Sequence, residues 1–227
     1  MSKKDYVSVV YNTDVRPFTS YPSKLTKYLF KRYGMEENSK ILDIGCGRGE
    51  FLKGFMDSGM NGYGVDQSSI AKSYFSEIKL KNSNIENDGL PFEDNYFDYI
   101  FSKSVIEHFY DPQKLVKEIF RVLKPGGLVI TMCPSWEFNY KTYFEDYTHR
   151  SPFMIESLGD IFKIHGFEDV EVEFFKQLPS TWEKSAFFAT SLSVITRTFA
   201  PSFLKKYYKW VRFSKEIMLL SSAKKPK

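Results

Sequence analysis

The chain has 227 residues, 42% hydrophobic, 26% charged and 18% aromatic, which suits one elaborated globular domain or two small ones and excludes fibrous and disordered classes. Two cysteines, Cys46 and Cys133, are too few for a disulfide scaffold and point to a reducing compartment, while the absence of an apolar run of about 18 residues excludes a spanning helix, and the N-terminal MSKKDYVSVVYNTD does not read as a signal peptide. The net charge of +4 is uneven, since residues 184–227 hold ten Lys or Arg and one acid whereas residues 1–183 hold 22 basic and 27 acidic residues, so a basic quarter on an acidic body suits either an anionic partner or a solvated helix face.

Residues 22–34 place Leu25, Tyr28, Leu29 and Tyr33 at helical spacing, with Gly34 as a stop. KILDIGCGRGEFLKGFMDSG reads as a strand, a glycine turn and a helix closed by Gly59. GYGVD (62–66) is a second strand ending at an acid, and FDYIFS (97–102) is an apolar run too short for a helix. PQKLVKEIFRVLKPGG is an amphipathic helix stopped by Pro125 and two glycines, followed by a strand at 128–134. A helix over 154–166, with His165 as its C-terminal residue, precedes a strand at 167–175, and 216–222 reads as a last strand. Alternating strands and helices predict an α/β fold with a mostly parallel sheet. The expected organisation is an N-terminal helical cap (1–36), a core (37–180), a basic aromatic insert (181–215), and a last strand with tail (216–227).

Ile41-Leu42-Asp43-Ile44-Gly45-Cys46-Gly47-Arg48-Gly49 removes side chains where a strand turns into a helix, so a ligand can approach backbone N–H groups. Asp66, 17 residues past Gly49 at the end of the next strand, can accept hydrogen bonds from both hydroxyls of a ribose. A dinucleotide fingerprint needs Gly or Ala where this chain has Glu50. A carboxylate there suits a pyrophosphate poorly, and Asp43 suits a cationic group. S-adenosylmethionine, with its amino group, sulfonium and ribose, meets that set better than a nicotinamide dinucleotide.

ILDIGCGRGEFL, then GVD, LPFEDNYFDYI, SVIEHF and FRVLKPGGLVI, resembles the class I S-adenosylmethionine-dependent methyltransferases in order and spacing over roughly residues 39–175. The resemblance implies a Rossmann-like, doubly wound, seven-stranded, mostly parallel sheet with helices on both faces and an antiparallel last strand. It implies that Asp43, Gly45, Cys46, Gly47 and Gly49 line the amino-acid end of S-adenosylmethionine. Asp66 is then expected on the ribose, Gln67, Asn84, Ile85 and Glu86 around the adenine, and Ser102 near the methionine moiety. S-adenosylhomocysteine is the product expected.

The acceptor site is expected at the carboxyl ends of the strands, where Ser104-Val105-Ile106-Glu107-His108 and Asp146-Tyr147-Thr148-His149-Arg150 carry two of the three histidines. His108 or His149 can act as a general base on a hydroxyl; the structural alternative for Glu107-His108 is a pair that holds a loop. Glu107, His108 and His149 are equally a candidate set of divalent-metal ligands. SVIEH, CPSWEFN and DYTHRSPF are similar to small-RNA 2′-O-methyltransferases, which place two Glu and two His on a metal, although Ser104 stands where the first Glu is expected; they are also similar to quinone-biosynthesis O-methyltransferases. Trp136, Phe138, Tyr140, Tyr143, Phe144 and Tyr147 can form an acceptor lid or pack on the core, and Tyr11 and Tyr21 can cover the cofactor.

The insert interleaves Phe187, Phe188, Leu192, Val194, Ile195, Phe199, Phe203, Leu204, Tyr207, Tyr208 and Trp210 with Arg197, Lys205, Lys206, Lys209 and Arg212. It reads as a cap helix, as a membrane-interface helix through 187–212, or as a grip on a polyanion. The C-terminal VRFSKEIMLLSSAKKP is similar to methyltransferases of polysaccharide and lipid-linked glycan biosynthesis. The expected enzyme O-methylates a hydroxyl on a glycan or membrane-linked small molecule, in the cytoplasm or at the inner face of a membrane. Nucleic acid is disfavoured by the acidic body. The alternatives are a quinone-type phenol or metal-dependent RNA 2′-O-methyltransferase, and a non-catalytic partner protein with the same fold.

Overall fold

Ile41, Leu42 and Ile44 are all fully buried, as a strand covered on both faces requires, and they place β1 (Lys40–Ile44) at the middle of the sheet. The computed structural model describes residues 13, 16–183 and 185–227. In it β1 pairs in parallel with β2 (Asn61–Asp66) on one side and β4 (Phe97–Lys103) on the other. β3 (Lys79–Asn82) continues the first side in parallel and β5 (Leu123–Pro134) the second. β7 (Ile217–Lys224) is antiparallel to both β5 and β6 (Glu168–Lys176) and lies between them. The order β3-β2-β1-β4-β5-β7-β6 is a doubly wound sheet, as expected, with its switch point between β1 and β4, where ligands of such sheets bind.

Strand alternation separates two apolar layers. Leu42, Ile44, Ile100, Val129 and Leu219 pack with Leu115, Val116 and Ile119 of α3 (Pro112–Val122) and with Leu158 and Phe162 of α4 (Ile155–Ile164). Ile41, Phe101, Ile130, Met132 and Leu220 pack on the other face with Leu25 and Leu29 of α1 (Tyr21–Arg32) and Leu52 and Phe55 of α2 (Glu50–Met56). α3 starts where the Asp111 side chain accepts a hydrogen bond from the Gln113 N–H at 3.2 Å, with Pro112 at the first turn, a favourable N-terminus on both counts. It stops earlier than the periodicity predicts, because Leu123 already pairs with Phe97 and draws the KPGG segment into β5.

α1 meets α2 at Gly54, where a Cβ would lie 2.3 Å from the Oγ1 of fully buried Thr26. Gly54→Ala is expected to cost about 1–3 kcal/mol through overpacking, a fall in Tm of very roughly 2–4 °C per kcal/mol at this size. Thermal melts check this, and Thr26→Ala should return part of the loss in the double variant; additive losses would show that the contact is not the cause.

The 40 residues between β6 and β7 contain α5 (Phe187–Phe199), a 3-10 turn at Ser202–Lys206 and α6 (Lys209–Lys215). Trp210 Nε1 donates to Thr196 Oγ1 at 3.0 Å and Lys215 Nζ to the Arg197 carbonyl at 2.8 Å, which ties the two helices together. No helix among the described residues is long and apolar enough to cross a membrane.

Candidate active site

β1 ends in a turn whose glycines sit at positive φ. At Gly45 a Cβ would come within 2.3 Å of Val105 Cγ2, whereas at Gly47 it would meet nothing within 4 Å. Close approach therefore requires the first glycine, and the left-handed backbone favours the second. Gly47 N–H donates to Asp66 Oδ2 at 2.9 Å, and Ser68 N–H donates to Asp66 Oδ1 at 2.8 Å. The carboxylate at the end of β2 thus locks the loop through both of its oxygens. The loop forms one wall of a cleft of about 590 Å³ at the carboxyl ends of β1, β2 and β4.

Asp43 lies beneath this wall, and its Oδ2 has no hydrogen-bond partner among the described residues. Burial, with the charge of Asp66 behind it, pushes the Asp43 carboxyl well above the usual carboxylate range. A buried acid in that state is stabilised by an arriving cation. Glu50, whose carboxylate stands at the start of α2, is held by Arg48: its Oε2 accepts from Arg48 Nη2 at 2.5 Å and Nε at 2.9 Å. Arg48 also donates to the Arg16 carbonyl at 2.6 Å and lies over the Phe18 ring at 4.6 Å, so residues 16–18 brace the outside of the loop.

The opposite wall joins two segments 40 residues apart. The Glu107 carbonyl accepts from the N–H groups of Arg150 and Ser151 at 2.7 and 3.0 Å, and Ser151 Oγ donates to the Phe109 carbonyl at 2.9 Å. His108 Nδ1 is 2.8 Å from Thr148 Oγ1, and Thr148 Oγ1 donates to Asp146 Oδ1 at 2.5 Å. Thr148 has one proton and gives it to the carboxylate, so it accepts from His108 Nδ1–H, which assigns the neutral tautomer with its lone pair on Nε2. Burial, aided by the neighbouring His149, holds His108 below the ordinary imidazole range. The two rings are 4.9 Å apart between centroids, and His149 Nδ1 lies 2.6 Å from the Tyr143 carbonyl, which can only accept. Glu107 is fully buried beside them, and its oxygens make no hydrogen bond of ordinary geometry among the described residues. Burial pushes the Glu107 carboxyl up and the Lys103 ammonium down, each to about 8, while each charge favours the other. One ligand atom from each of Glu107, His108 and His149 falls in a cluster no wider than 4.8 Å.

Asp43, Gly45, Cys46, Gly47, Asp66, Gln67, Asn84, Ile85, Glu86 and His108 line the same cleft. Glu86 does structural work there too, accepting from the N–H groups of Tyr110 and Asp111. Gly49, Ser102, Glu107 and His149 are not part of the lining. Gly49 packs behind the loop, where a Cβ would lie 2.6 Å from Ile78 Cδ1. Ser102 shares the sheet face of Ile100, and strand alternation sends Lys103 to the cleft instead. Tyr21 joins an aromatic cluster with Phe51, Trp182 and Phe213 rather than the cleft; Tyr11 lies outside the described residues. Trp136 packs on Tyr140, Tyr143 and Phe144. Lys103, Phe51 and Tyr110 also line the cleft, and no pattern in the sequence marks them.

A family model described as a methyltransferase domain, Methyltransf_23, matches residues 13–172. Phosphoethanolamine N-methyltransferase 2 of Caenorhabditis elegans is 34% identical over 158 residues, 64% of this chain and 36% of that protein. Sterol 24-C-methyltransferase erg6 of Schizosaccharomyces pombe is 34% identical over 110 residues, 44% of this chain and 29% of its own length. The chain thus spans about a third of these curated relatives. Among solved structures, Haemonchus contortus phosphoethanolamine N-methyltransferase 2 with phosphomonomethylethanolamine and S-adenosylhomocysteine superimposes with a TM-score of 0.66 at 24% identity. That match covers 89% of this chain and 52% of the other, and shows a shared fold.

Proposed function

The chain belongs to the methyltransferase-domain family whose model matches residues 13–172, and on that premise we propose that it moves a methyl group from S-adenosylmethionine to a hydroxyl on a glycan or membrane-linked small molecule. The observation that carries this reading is the division of one cleft into a donor wall and an acceptor wall. On the donor wall, the unpaired buried oxygen of Asp43 suits an amino or sulfonium group, the bare Gly47 leaves room for a ligand, and the Asp66 carboxylate suits a ribose diol. When bound, S-adenosylmethionine supplies a methyl group on a positively charged sulfur that needs no further activation.

The residues of the chain then have two tasks, alignment and proton removal. Asp43, Gly47 and Asp66 hold the donor. His108 Nε2 takes the proton of the acceptor hydroxyl as its oxygen attacks. Thr148 and Asp146 keep the ring in the required tautomer and stabilise the charge that develops on it. The sterol relative and the exposed basic aromatic insert support an acceptor met at a lipid surface.

A second reading rests on the Glu107, His108 and His149 cluster. The paired Nδ1 atoms of both histidines leave Nε2 as the ligating nitrogen, and a divalent ion there would orient substrate oxygens. The test is transfer of a labelled methyl group to sugar nucleotides, lipid-linked saccharides, catechols and short RNAs, each with and without EDTA. Turnover on a saccharide or lipid-linked hydroxyl that survives EDTA is expected. EDTA-sensitive turnover on a catechol or RNA would replace it with the metal reading, transfer to amines alone would overturn O-methylation, and no binding of S-adenosylmethionine in calorimetry would leave a non-catalytic partner protein.

A further inference from the structure

α5 is amphipathic in the inverted sense. Phe188, Leu192, Ile195 and Phe199 recur at i, i+4, i+7 and i+11, which puts them on one stripe of the helix, and that stripe faces solvent, with Phe188 79% and Phe199 78% exposed. The opposite side is turned to the protein: Ser193 is fully buried, and Thr196 and Arg197 take the contacts from α6 described above. Phe203, Tyr207 and Tyr208 continue the exposed apolar surface through the following turn. A soluble helix normally packs the apolar stripe inward, and an exposed one of this extent marks an interaction surface.

The charge around the stripe selects its occupant. Residues 185–215 hold six Lys or Arg and no acid. Lys205 and Arg212 pair with Glu216. Lys206 and Lys209, the exposed cations flanking Tyr207 and Tyr208, make no ion pair among the described residues. Exposed aromatic rings beside lysines match the boundary between acyl chains and anionic headgroups, where rings enter and ammonium groups stay at the phosphate level. The net acidic charge of residues 1–183 is repelled by the same surface, which favours approach through the insert. α5 also touches the segment after β5, where Arg197 lies 5.0 Å over Phe138.

We propose that the outward stripe of α5, with the Phe203–Lys209 turn, is a docking face for an anionic lipid bilayer. It rests on the methyl-transfer reading only for its purpose, presenting the cleft to a membrane-borne acceptor. Flotation of the full chain with vesicles of phosphatidylcholine alone, and of phosphatidylcholine mixed with phosphatidylglycerol, tests it without any methyl donor. Binding is expected to the mixed vesicles and to weaken as NaCl is raised. Phe188→Ser with Phe199→Ser should lower partitioning by about tenfold or more, and Lys206→Gln with Lys209→Gln should remove the preference for the anionic lipid. All four side chains are exposed, so the fold should survive, which circular dichroism reads. Absence of binding to mixed vesicles, or unchanged binding by both variants, overturns the proposal. So does sedimentation showing that the wild type is a dimer which the Phe variants dissolve, because the stripe would then bind a second copy of the chain. Calorimetry with S-adenosylmethionine, run separately, tells failure of this face from failure of the methyl-transfer reading.

Discussion

Asp66→Ala is expected to weaken S-adenosylmethionine binding about a hundredfold, because two hydrogen bonds to a charged acceptor contribute about 1.5 kcal/mol each or more. Asp66 also ties Gly47 and Ser68 together, so part of the loss comes from a looser loop. Asp66→Asn keeps one acceptor oxygen and nearly the same shape but turns its NH2 toward one of the two N–H donors, and should fall between wild type and alanine in both affinity and Tm. Titration calorimetry and thermal melts read both quantities. Unchanged affinity in the alanine variant would sink the ribose assignment, and a loss of affinity matched by a large fall in Tm would make Asp66 a loop-holding residue only.

The second large effect is expected at His108. Removing a general base typically costs 10²–10⁴-fold in rate, so His108→Ala should lower kcat by about that much with affinity for S-adenosylmethionine retained. Thr148→Val removes the acceptor that fixes the Nδ1–H tautomer, and a smaller loss of about tenfold is expected, because the ring stays but loses its orientation. The pH profile carries the sign. His108 is held below the ordinary imidazole range by burial and by His149, so the base is neutral and competent at pH 7. The rate should be level above that pH and fall on acidification as the ring takes a proton, and Thr148→Val should move that limb where a merely structural threonine would not. A wild-type kcat in His108→Ala would retire His108 and shift attention to His149, whose ring is 4.9 Å away.

The donor side of the cleft is local in sequence. Asp43, the glycines of the turn and Asp66 fall within 24 residues, and each is constrained by its own element: strand end, left-handed turn, strand end. The acceptor side is not local. His108 and Thr148 are 40 residues apart and meet only because backbone bonds from Arg150 and Ser151 to the Glu107 carbonyl clamp the two segments. Ser102 and Lys103 show the limit at finer scale, since an apolar run does not say which residue of a strand end faces the cleft; the packing of α3 and α4 on one face and α2 on the other decides it.

By itself the sequence determined the element types, the parallel core of the sheet and the glycine-acid wall, because hydrophobic period, chain direction and backbone strain act between near neighbours. The insert could equally have been a packed cap, and its amphipathic period reads the same with the stripe turned in or out. Only the tertiary structure turned it out, through Ser193, Thr196 and Arg197 facing the protein. The Asp146–Thr148–His108 relay belongs to the same class, because side-chain contacts between distant segments depend on how whole elements pack, and the residue types at each position leave that choice open.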